Sequence, residues 1–217
     1  MRVRRKPWAA GEIAQNSHMI HDPASFRGHW KDAFGNDNPI YLEIGCGKGQ
    51  FLSRNSLRYP DVNFIGIERD ETVIATAARR LSESQKNLRL VNANVVDLLD
   101  FFTPGEIDRL YINFCDPWPK KKWAKRRLTH RLFLEKYAEL LGEHGEIFFK
   151  TDNRLLFEFS LNEFCATDWR LSKITLDLHH SEWAEDNITT EYEEKFSSMG
   201  MPIYRLEARY EPRNQEK

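Results

Sequence analysis

Short apolar runs alternate with amphipathic runs along most of the chain. Short runs rich in Ile, Val, Leu and Phe are typical of buried strands, whereas apolar positions three or four residues apart are typical of helices. The pattern predicts strands over 40–44, 63–68, 88–91, 110–114, 147–149 and 203–210, and an extended segment over 170–178. It predicts helices over 50–59, 72–84, 96–102, 131–141 and 155–165.

Strands that alternate with helices predict an α/β fold, in which a doubly wound, mostly parallel sheet of about seven strands has helices on both faces. The last strand follows only weak helical segments, which indicates one antiparallel strand at an edge of the sheet. Residues 1–38 have weak periodicity interrupted by Pro and Gly, and we interpret them as a basic, partly flexible arm before a domain over 39–217. Ligands of such folds bind beyond the carboxyl ends of the strands.

Three glycines follow the first of these strands, in the sequence E-I-G-C-G-K-G that starts at Glu43. Glycines permit a tight turn and a close approach of a ligand to backbone N–H groups. Glu68 ends the next strand, where a carboxylate can accept hydrogen bonds from both hydroxyls of a ribose. The third glycine comes one residue earlier than in the dinucleotide fingerprint G-x-G-x-x-G. The spacing E-x-G-x-G-x-G resembles instead motif I of class I methyltransferases, whose acidic residue faces the cationic methionine end of S-adenosylmethionine.

A second polar segment begins where the strand over 110–114 ends, with the sequence N-F-C-D-P-W-P-K-K-K-W-A-K-R-R-L from Asn113. It combines a carboxylate, a loop stiffened by proline, two tryptophans and a run of cations. Lysine and arginine can neutralise backbone phosphates, and tryptophan rings can stack on bases. Because the run adjoins a loop at a strand end, we favour RNA binding over a merely solvated charged surface.

These segments, with F-K-T-D-N from Phe149 and T-E-Y-E-E-K-F from Thr190, resemble those of the bacterial tRNA (guanine-N7)-methyltransferase family over residues 40–210. The resemblance implies a class I, Rossmann-like methyltransferase fold. It implies S-adenosylmethionine as the cofactor and methylation of N7 of a guanine in the variable region of tRNA. The chain departs from the family at Cys46, Cys115 and Trp123, where other small or polar residues are expected.

The resemblance also implies roles for individual residues. The cofactor site is expected to contain Glu43, Gly45, Gly47, Glu68, Asn94 and Asp116, with Asp116 as the catalytic residue. Some members of the family have a carboxylate where this chain has Asn94. Contacts with the target guanosine are expected from Lys120, Asp152, Thr190, Glu191, Tyr192 and Glu193. RNA contacts are expected from Lys122, Trp123, Lys125, Arg126 and Arg127.

Guanine N7 has an exposed lone pair, so it needs no deprotonation before it is methylated, and alignment of the reacting atoms is the main requirement. We hypothesise that Asp116 and Asp152 accept hydrogen bonds from guanine N1–H and its 2-amino group, or from the ammonium group of the cofactor. Adenine has no matching donors and would be rejected. The segment from Thr190 also fits a helix-capping box, with Thr189 or Thr190 as the cap, and it can serve both purposes.

Other methyltransferases remain as alternatives that act on another RNA base or on an amine. Enzymes that methylate exocyclic amines have D-P-P-Y-type loops at this place, and Trp118 interrupts that pattern. An enzyme that makes 5-methylpyrimidines needs a nucleophilic cysteine. Cys115 is suitably placed, but Phe114 stands where the usual proline or threonine would be, so we expect an inert thiol.

An alternative of a different class is a non-catalytic RNA-binding subunit with the same fold. A non-catalytic subunit would not need the complete set of carboxylates that this chain has near its predicted strand ends, which are Glu43, Glu68, Asp116 and Asp152. A nicotinamide dehydrogenase is disfavoured by the spacing of the glycines.

The distribution of charged, cysteine and apolar residues indicates what kind of partner and location to expect. The 217 residues carry a net charge of only −1, yet seven cations fall between Lys120 and Arg131, and a smaller cluster comprises Arg2, Arg4, Arg5 and Lys6. Segregated charge of this kind indicates a local surface for an anionic partner, here tRNA. Three widely spaced cysteines argue against a disulfide framework, and we expect no metal. Without an apolar run of membrane-spanning length or a leader sequence, we expect a cytoplasmic monomer or homodimer that binds no membrane.

Overall fold

The structure, a computed structural model, describes residues 6–143 and 145–212. They form two compact units, one that ends at Asp108 and one that begins at Arg109. Three arginines of the N-terminal basic cluster, Arg2, Arg4 and Arg5, lie outside the described residues.

Four parallel strands form the sheet of the first unit. They are β1 (Met19–Ile20), β2 (Ile40–Ile44), β3 (Asn63–Glu68) and β4 (Leu88–Asn92). Their order is β1-β4-β3-β2, and the register pairs Ile44 with Ile67 and Glu68 with Asn92. Because the strands are parallel, their carboxyl ends lie at one edge of this sheet.

The helices of the first unit are α1 (Ala9–Gln15), α2 (Gln50–Arg58), α3 (Glu71–Arg80) and the single turn α4 (Leu98–Phe101). The carboxylate of Asp70 caps α3 by accepting hydrogen bonds from two backbone N–H groups of its first turn. Small side chains at Ala75, Ala77 and Ala78 are fully buried, which lets α3 pack closely. The helix expected over 96–102 is a 3₁₀ turn, Val95–Asp97, followed by α4.

Residues 6–38 fold against the rest of the first unit. The guanidinium of Arg79 lies 3.7 Å from the ring centroid of Trp8, and its Nε donates to Glu12 at 2.6 Å. The ring of Trp30 is fully buried and donates to the carbonyl of Phe101 at 2.8 Å. The division into an arm over 1–38 and a domain over 39–217 stays a prediction.

The second unit contains β5 (Arg109–Asn113), β6 (Glu146–Thr151), β7 (Trp169–Thr175) and β8 (Tyr204–Tyr210), in the order β5-β6-β8-β7. Strands β5 and β6 are parallel, whereas β8 is antiparallel to both β6 and β7. The expected antiparallel strand is therefore present as β8, next to the terminal strand β7.

The helices of the second unit are α5 (Arg131–Leu141), α6 (Arg154–Cys165) and α7 (Glu191–Ser197). Asn153 caps α6, because its Oδ1 accepts the N–H of Leu156 at 2.9 Å. This cap confines Asp152 to a two-residue link between β6 and α6. Within the described ranges, no helix has both the length and the apolar character that a membrane span requires.

The packing around Gly66 in β3 gives a test of this fold. A Cβ at Gly66 would overlap Leu52 Cδ1 and come within 2.9 Å of Cys46 Sγ. We expect Gly66→Ala to lower the free energy of unfolding by about 1–3 kcal/mol because of overpacking. Urea denaturation followed by circular dichroism measures this change.

Gly11, exposed in α1, is the matched control. A Cβ there meets no described atom within 4 Å. Gly11→Ala is expected to raise the free energy of unfolding by about 0.5–1 kcal/mol, since alanine favours a helix. Equal effects of the two substitutions would contradict this packing.

Candidate active site

The glycine-rich turn after β2 has left-handed backbone at each glycine, with φ of 70° at Gly45, 56° at Gly47 and 73° at Gly49. Residues with a Cβ rarely adopt this conformation. A Cβ at Gly45 or Gly47 would meet no described atom within 4 Å, whereas one at Gly49 would come within 3.0 Å of Ala77 Cβ. The first two glycines therefore border open space, and the third packs on α3.

Two carboxylates flank this turn. Glu43 lies within β2 and is 2% exposed, whereas Glu68 ends β3 and is half-buried. Glu68 accepts hydrogen bonds from the backbone N–H groups of Gly47 at 3.3 Å and Asp70 at 2.8 Å. These two bonds fix the Glu68 carboxylate beside the glycine turn.

Two asparagines lie near the end of β4. Asn94 is exposed and caps a 3₁₀ turn, since its Oδ1 accepts the N–H of Val96 at 3.3 Å. Asn92 donates to the main-chain carbonyl of Glu68 at 2.8 Å and so ties the ends of β3 and β4 together. Asn92 was not among the predicted site residues, although its place directly after the predicted strand over 88–91 was a usable signal.

The loop after β5 has two non-glycine residues with left-handed backbone, Phe114 with φ of 51° and Trp118 with φ of 42°. Such conformations are strained and cluster at functional sites. The N–H of Phe114 donates to the carbonyl of Lys150 at 2.9 Å, which anchors the loop to β6. Asp116 lies between the two strained residues and is exposed.

The chemistry of Cys115 in the same loop differs from that of a nucleophile. Burial, followed by the negative charge of Asp116, raises the pKa of this thiol to about 12. Because the thiolate is the reactive form, Cys115 is protonated and unreactive at neutral pH. This argues against the alternative of an enzyme that makes 5-methylpyrimidines.

The basic segment, residues 120–127, consists of a 3₁₀ helix over Lys121–Arg126 and its two flanking residues. Within it the ring of Trp123 packs edge-to-face on Trp118, with 5.7 Å between the ring centroids. The charged groups of Lys120 and Arg126 lie 5.0 Å from the rings of Trp123 and Trp118, respectively. These contacts order the exposed cations around a small aromatic pair.

Arg127 has a different environment from the other cations of the basic segment. It is half-buried, and its guanidinium donates to the carbonyls of Pro117 and Trp118, both at 3.1 Å. It also lies 4.2 Å from the ring centroid of Phe159. Arg127 therefore holds the preceding loop in place.

The segment from Thr190 forms the capping box that the sequence allowed. Thr190 Oγ1 accepts the N–H of Glu193 at 3.0 Å, and Glu193 Oε2 accepts the N–H of Thr190 at 3.4 Å. Glu191 is half-buried, and Tyr192 is 62% exposed. The side chain of Asp152, after β6, is half-buried.

A buried ion pair lies behind this segment. Lys150 Nζ is 2.7 Å from Glu193 Oε2, and the two side chains are 7% and 0% exposed. The same ammonium donates to Asn187 Oδ1 and to the carbonyl of Ile188, both at 2.9 Å. The other oxygen of Glu193 accepts from Asn187 Nδ2 and lies 3.1 Å from His179 Nε2. Glu193, expected to contact the guanosine, is thus enclosed by protein groups.

Lys150 was not among the predicted site residues. One signal was available, because a lysine directly after the apolar run over 147–149 needs a partner if its side chain is buried. The identity of that partner was not available, since Lys150 and Glu193 are 43 residues apart.

The fold and a family model define the class of protein. A model described as "Putative methyltransferase" matches residues 37–206. A solved 16S rRNA (adenine(1408)-N(1))-methyltransferase from Catenulisporales acidiphilia superposes with a TM-score of 0.61 at 16% identity, covering 89% of this chain and 96% of that one. An "antibiotic related Methyltransferase" gives 0.61 at 13% identity, with coverages of 91% and 98%. The chain has the class I, S-adenosylmethionine-dependent methyltransferase fold, and the predicted fold class is confirmed.

Curated relatives identify the family within this class. A Bacillus licheniformis protein is 52% identical over 97% of this chain and 99% of its own length, and a Bacillus subtilis protein is 51% identical with the same coverages. Both are named tRNA (guanine-N(7)-)-methyltransferase. The chain belongs to the bacterial tRNA (guanine-N7-)-methyltransferase family, which confirms the resemblance seen in the sequence.

The environments of two cysteines predict different reactivities. At about pH 8, we expect iodoacetamide to modify the exposed Cys165 of the folded protein and to leave Cys115 unmodified, because a thiol with a pKa of about 12 stays protonated there. Peptide mass spectrometry after the reaction distinguishes the two. In urea both cysteines should react, which is the control. Rapid modification of Cys115 in the folded protein would contradict this environment.

Proposed function

We infer that this protein transfers a methyl group from S-adenosylmethionine to N7 of a guanine in tRNA. The observation that carries this inference is an identity of 52%, over 97% of the chain, to a protein named for that reaction. Methylation of N7 removes no proton from the base, but it leaves a positive charge on the purine. The protein therefore has to orient two substrates and offset that charge.

The first unit offers residues suited to S-adenosylmethionine, which carries a sulfonium, an ammonium and a ribose with two hydroxyls. We propose that Glu43, Gly45, Gly47, Glu68 and Asn94 bind it. The buried carboxylate of Glu43 is a suitable neighbour for the cationic methionine end, and Glu68 at its strand end suits the ribose hydroxyls. The open space beside the first two glycines permits a close approach to the backbone. When bound, the cofactor supplies an electrophilic methyl group.

The second unit offers acceptors for the guanine. We propose that Asp116 and Asp152 accept hydrogen bonds from N1–H and the 2-amino group, and that Asp116 is the catalytic residue. Both carboxylates follow parallel neighbouring strands, so both stand at the same edge of that sheet. Their negative charge offsets the charge that develops on the purine.

Other polar residues of the second unit are candidates for further contacts with the substrate. We propose that Lys120, Thr190, Glu191 and Tyr192 contact the guanosine and that Glu193, which is fully buried, holds that segment in place. A guanine in folded tRNA has to be unstacked to reach such a site. A tRNA substrate is consistent with a cytoplasmic enzyme, and sedimentation would distinguish a monomer from a homodimer.

The decisive test is a methylation assay with unmodified tRNA and methyl-labelled S-adenosylmethionine, followed by nucleoside analysis. We expect label in 7-methylguanosine. Asp116→Asn and Asp152→Asn should each lower kcat/KM by about 100-fold, because a misoriented base reacts slowly. Asp61→Asn, at an exposed carboxylate of the first unit, is the control and should retain activity. Label in another nucleoside would contradict the function, and full activity of Asp116→Asn would contradict its role.

We propose that the basic segment binds the RNA backbone through Lys122, Lys125 and Arg126, with Trp123 and Arg127 completing the surface. The first three side chains are exposed, as phosphate contacts require.

Salt dependence of tRNA binding tests this surface. Removing each phosphate contact, as in Lys122→Ala, Lys125→Ala and Arg126→Ala, should reduce the slope of log K against log salt by about one unit. Arg127→Ala should in addition lower the melting temperature, because it frees two loop carbonyls. Unchanged slopes for all three exposed residues would exclude this surface.

A further inference from the structure

The residues proposed to contact the guanosine come from three separate stretches of the second unit. Asp116 lies in the loop after β5, Asp152 follows β6, and Thr190 precedes α7. Residues that bind one base together have to be held at fixed positions relative to one another, which a residue in contact with several of these stretches can do. Lys150 is such a residue, since it contacts the first and third stretches directly and lies two residues before Asp152.

We infer that Lys150 is a positioning residue, whose side chain sets the Thr190–Tyr192 segment relative to Asp152. The inference rests on the proposed function. The ammonium group of Lys150 has three hydrogens to donate. Three acceptors lie within 2.9 Å of its nitrogen, one each from Asn187, Ile188 and Glu193. Asn187 and Ile188 precede the segment and Glu193 follows it, so the ammonium holds it from both sides.

The main chain of Lys150 is itself firmly held. It pairs with Asn113 of β5 on one side and with Arg205 of β8 on the other. Its carbonyl accepts the N–H of Phe114 at 2.9 Å, at the start of the loop that carries Asp116. The sheet thus provides a rigid base from which the side chain reaches the segment.

The position of the Thr190–Tyr192 segment depends on the ion pair between Lys150 and Glu193. Glu193 is fully buried, and a buried carboxylate without a cation is strongly disfavoured. In Lys150→Met, Glu193 either takes up a proton or leaves its place. Both changes loosen the capping box that Glu193 forms with Thr190. A second substitution, Glu193→Gln, removes the uncompensated charge but leaves Asn187 and Ile188 without the ammonium.

The test compares Lys150→Met with the double variant Lys150→Met, Glu193→Gln. We expect Lys150→Met to lower the melting temperature and to reduce kcat/KM for tRNA by about 100-fold, with KM for S-adenosylmethionine changed by less than about twofold. The double variant should recover much of the melting temperature but not kcat/KM. Recovery of both would overturn the inference, because Lys150 would then only neutralise a charge.

Glu163→Gln provides the matched control. Glu163 is a buried carboxylate that accepts hydrogen bonds from Arg131 Nε at 3.0 Å and Nη2 at 2.9 Å, between α5 and α6. Breaking this pair should lower the melting temperature and leave kcat/KM for tRNA unchanged. All variants are assayed at a temperature at which circular dichroism shows them folded. If Lys150→Met retains the kcat/KM of Glu163→Gln, the positioning role is wrong.

Amide hydrogen exchange gives a readout that is independent of catalysis. The amides of residues 188–193 should exchange faster in both Lys150 variants than in Glu163→Gln. Unchanged exchange there would overturn the inference even if the wild-type protein formed no 7-methylguanosine. Absence of 7-methylguanosine from the wild-type reaction, by contrast, would contradict the proposed function.

Discussion

The burial of parallel strands on both faces determines where polar groups can stand in this protein. Ile65 and Ile67 of β3 and Ile112 of β5 are at most 1% exposed, so the middle of each strand accepts apolar side chains almost exclusively. Polar side chains are therefore placed at the strand ends, as Glu68 and Asn92 are in the first unit. Because the carboxyl ends of parallel strands lie at the same edge of a sheet, these polar side chains lie at one edge in each unit.

Two charged residues of the parallel strands depart from this rule. Glu43 and Lys150 are buried within strands, at 2% and 5% exposure. Burying a charge costs several kcal/mol unless opposite charge and hydrogen bonds offset it. For Lys150 the offset comes from Glu193 and from two further acceptors. Such a network adds little net stability compared with apolar packing, but it favours one arrangement of the residues that it joins.

Much of the fold beyond residue 40 could be predicted, because apolar runs there are bounded by glycine, proline and capping residues. The elements α1 and β1 were missed, since they are short and owe their stability to contacts distant in sequence, such as that of Trp8 with Arg79. The residues at strand ends were predictable too, because the boundary of each apolar run shows where its strand ends. The side-chain contacts of individual residues were not predictable from the sequence. Arg126 and Arg127 are adjacent and chemically alike, yet only the folded chain shows that Arg127 binds loop carbonyls.

The fold by itself does not select the base that is methylated. A solved structure with the same fold, at 16% identity, is named for methylation of adenine N1 in rRNA. Selection must therefore lie in side chains beyond the sheet. Guanine presents donors at N1 and at its 2-amino group where adenine has none, so carboxylate acceptors favour guanine only if adenine leaves them unpaired. A carboxylate on a mobile loop would turn to water instead and lose this discrimination. The left-handed backbone at Phe114 and Trp118, and the hydrogen bond from the N–H of Phe114 to the carbonyl of Lys150, restrain the main chain of the loop that carries Asp116.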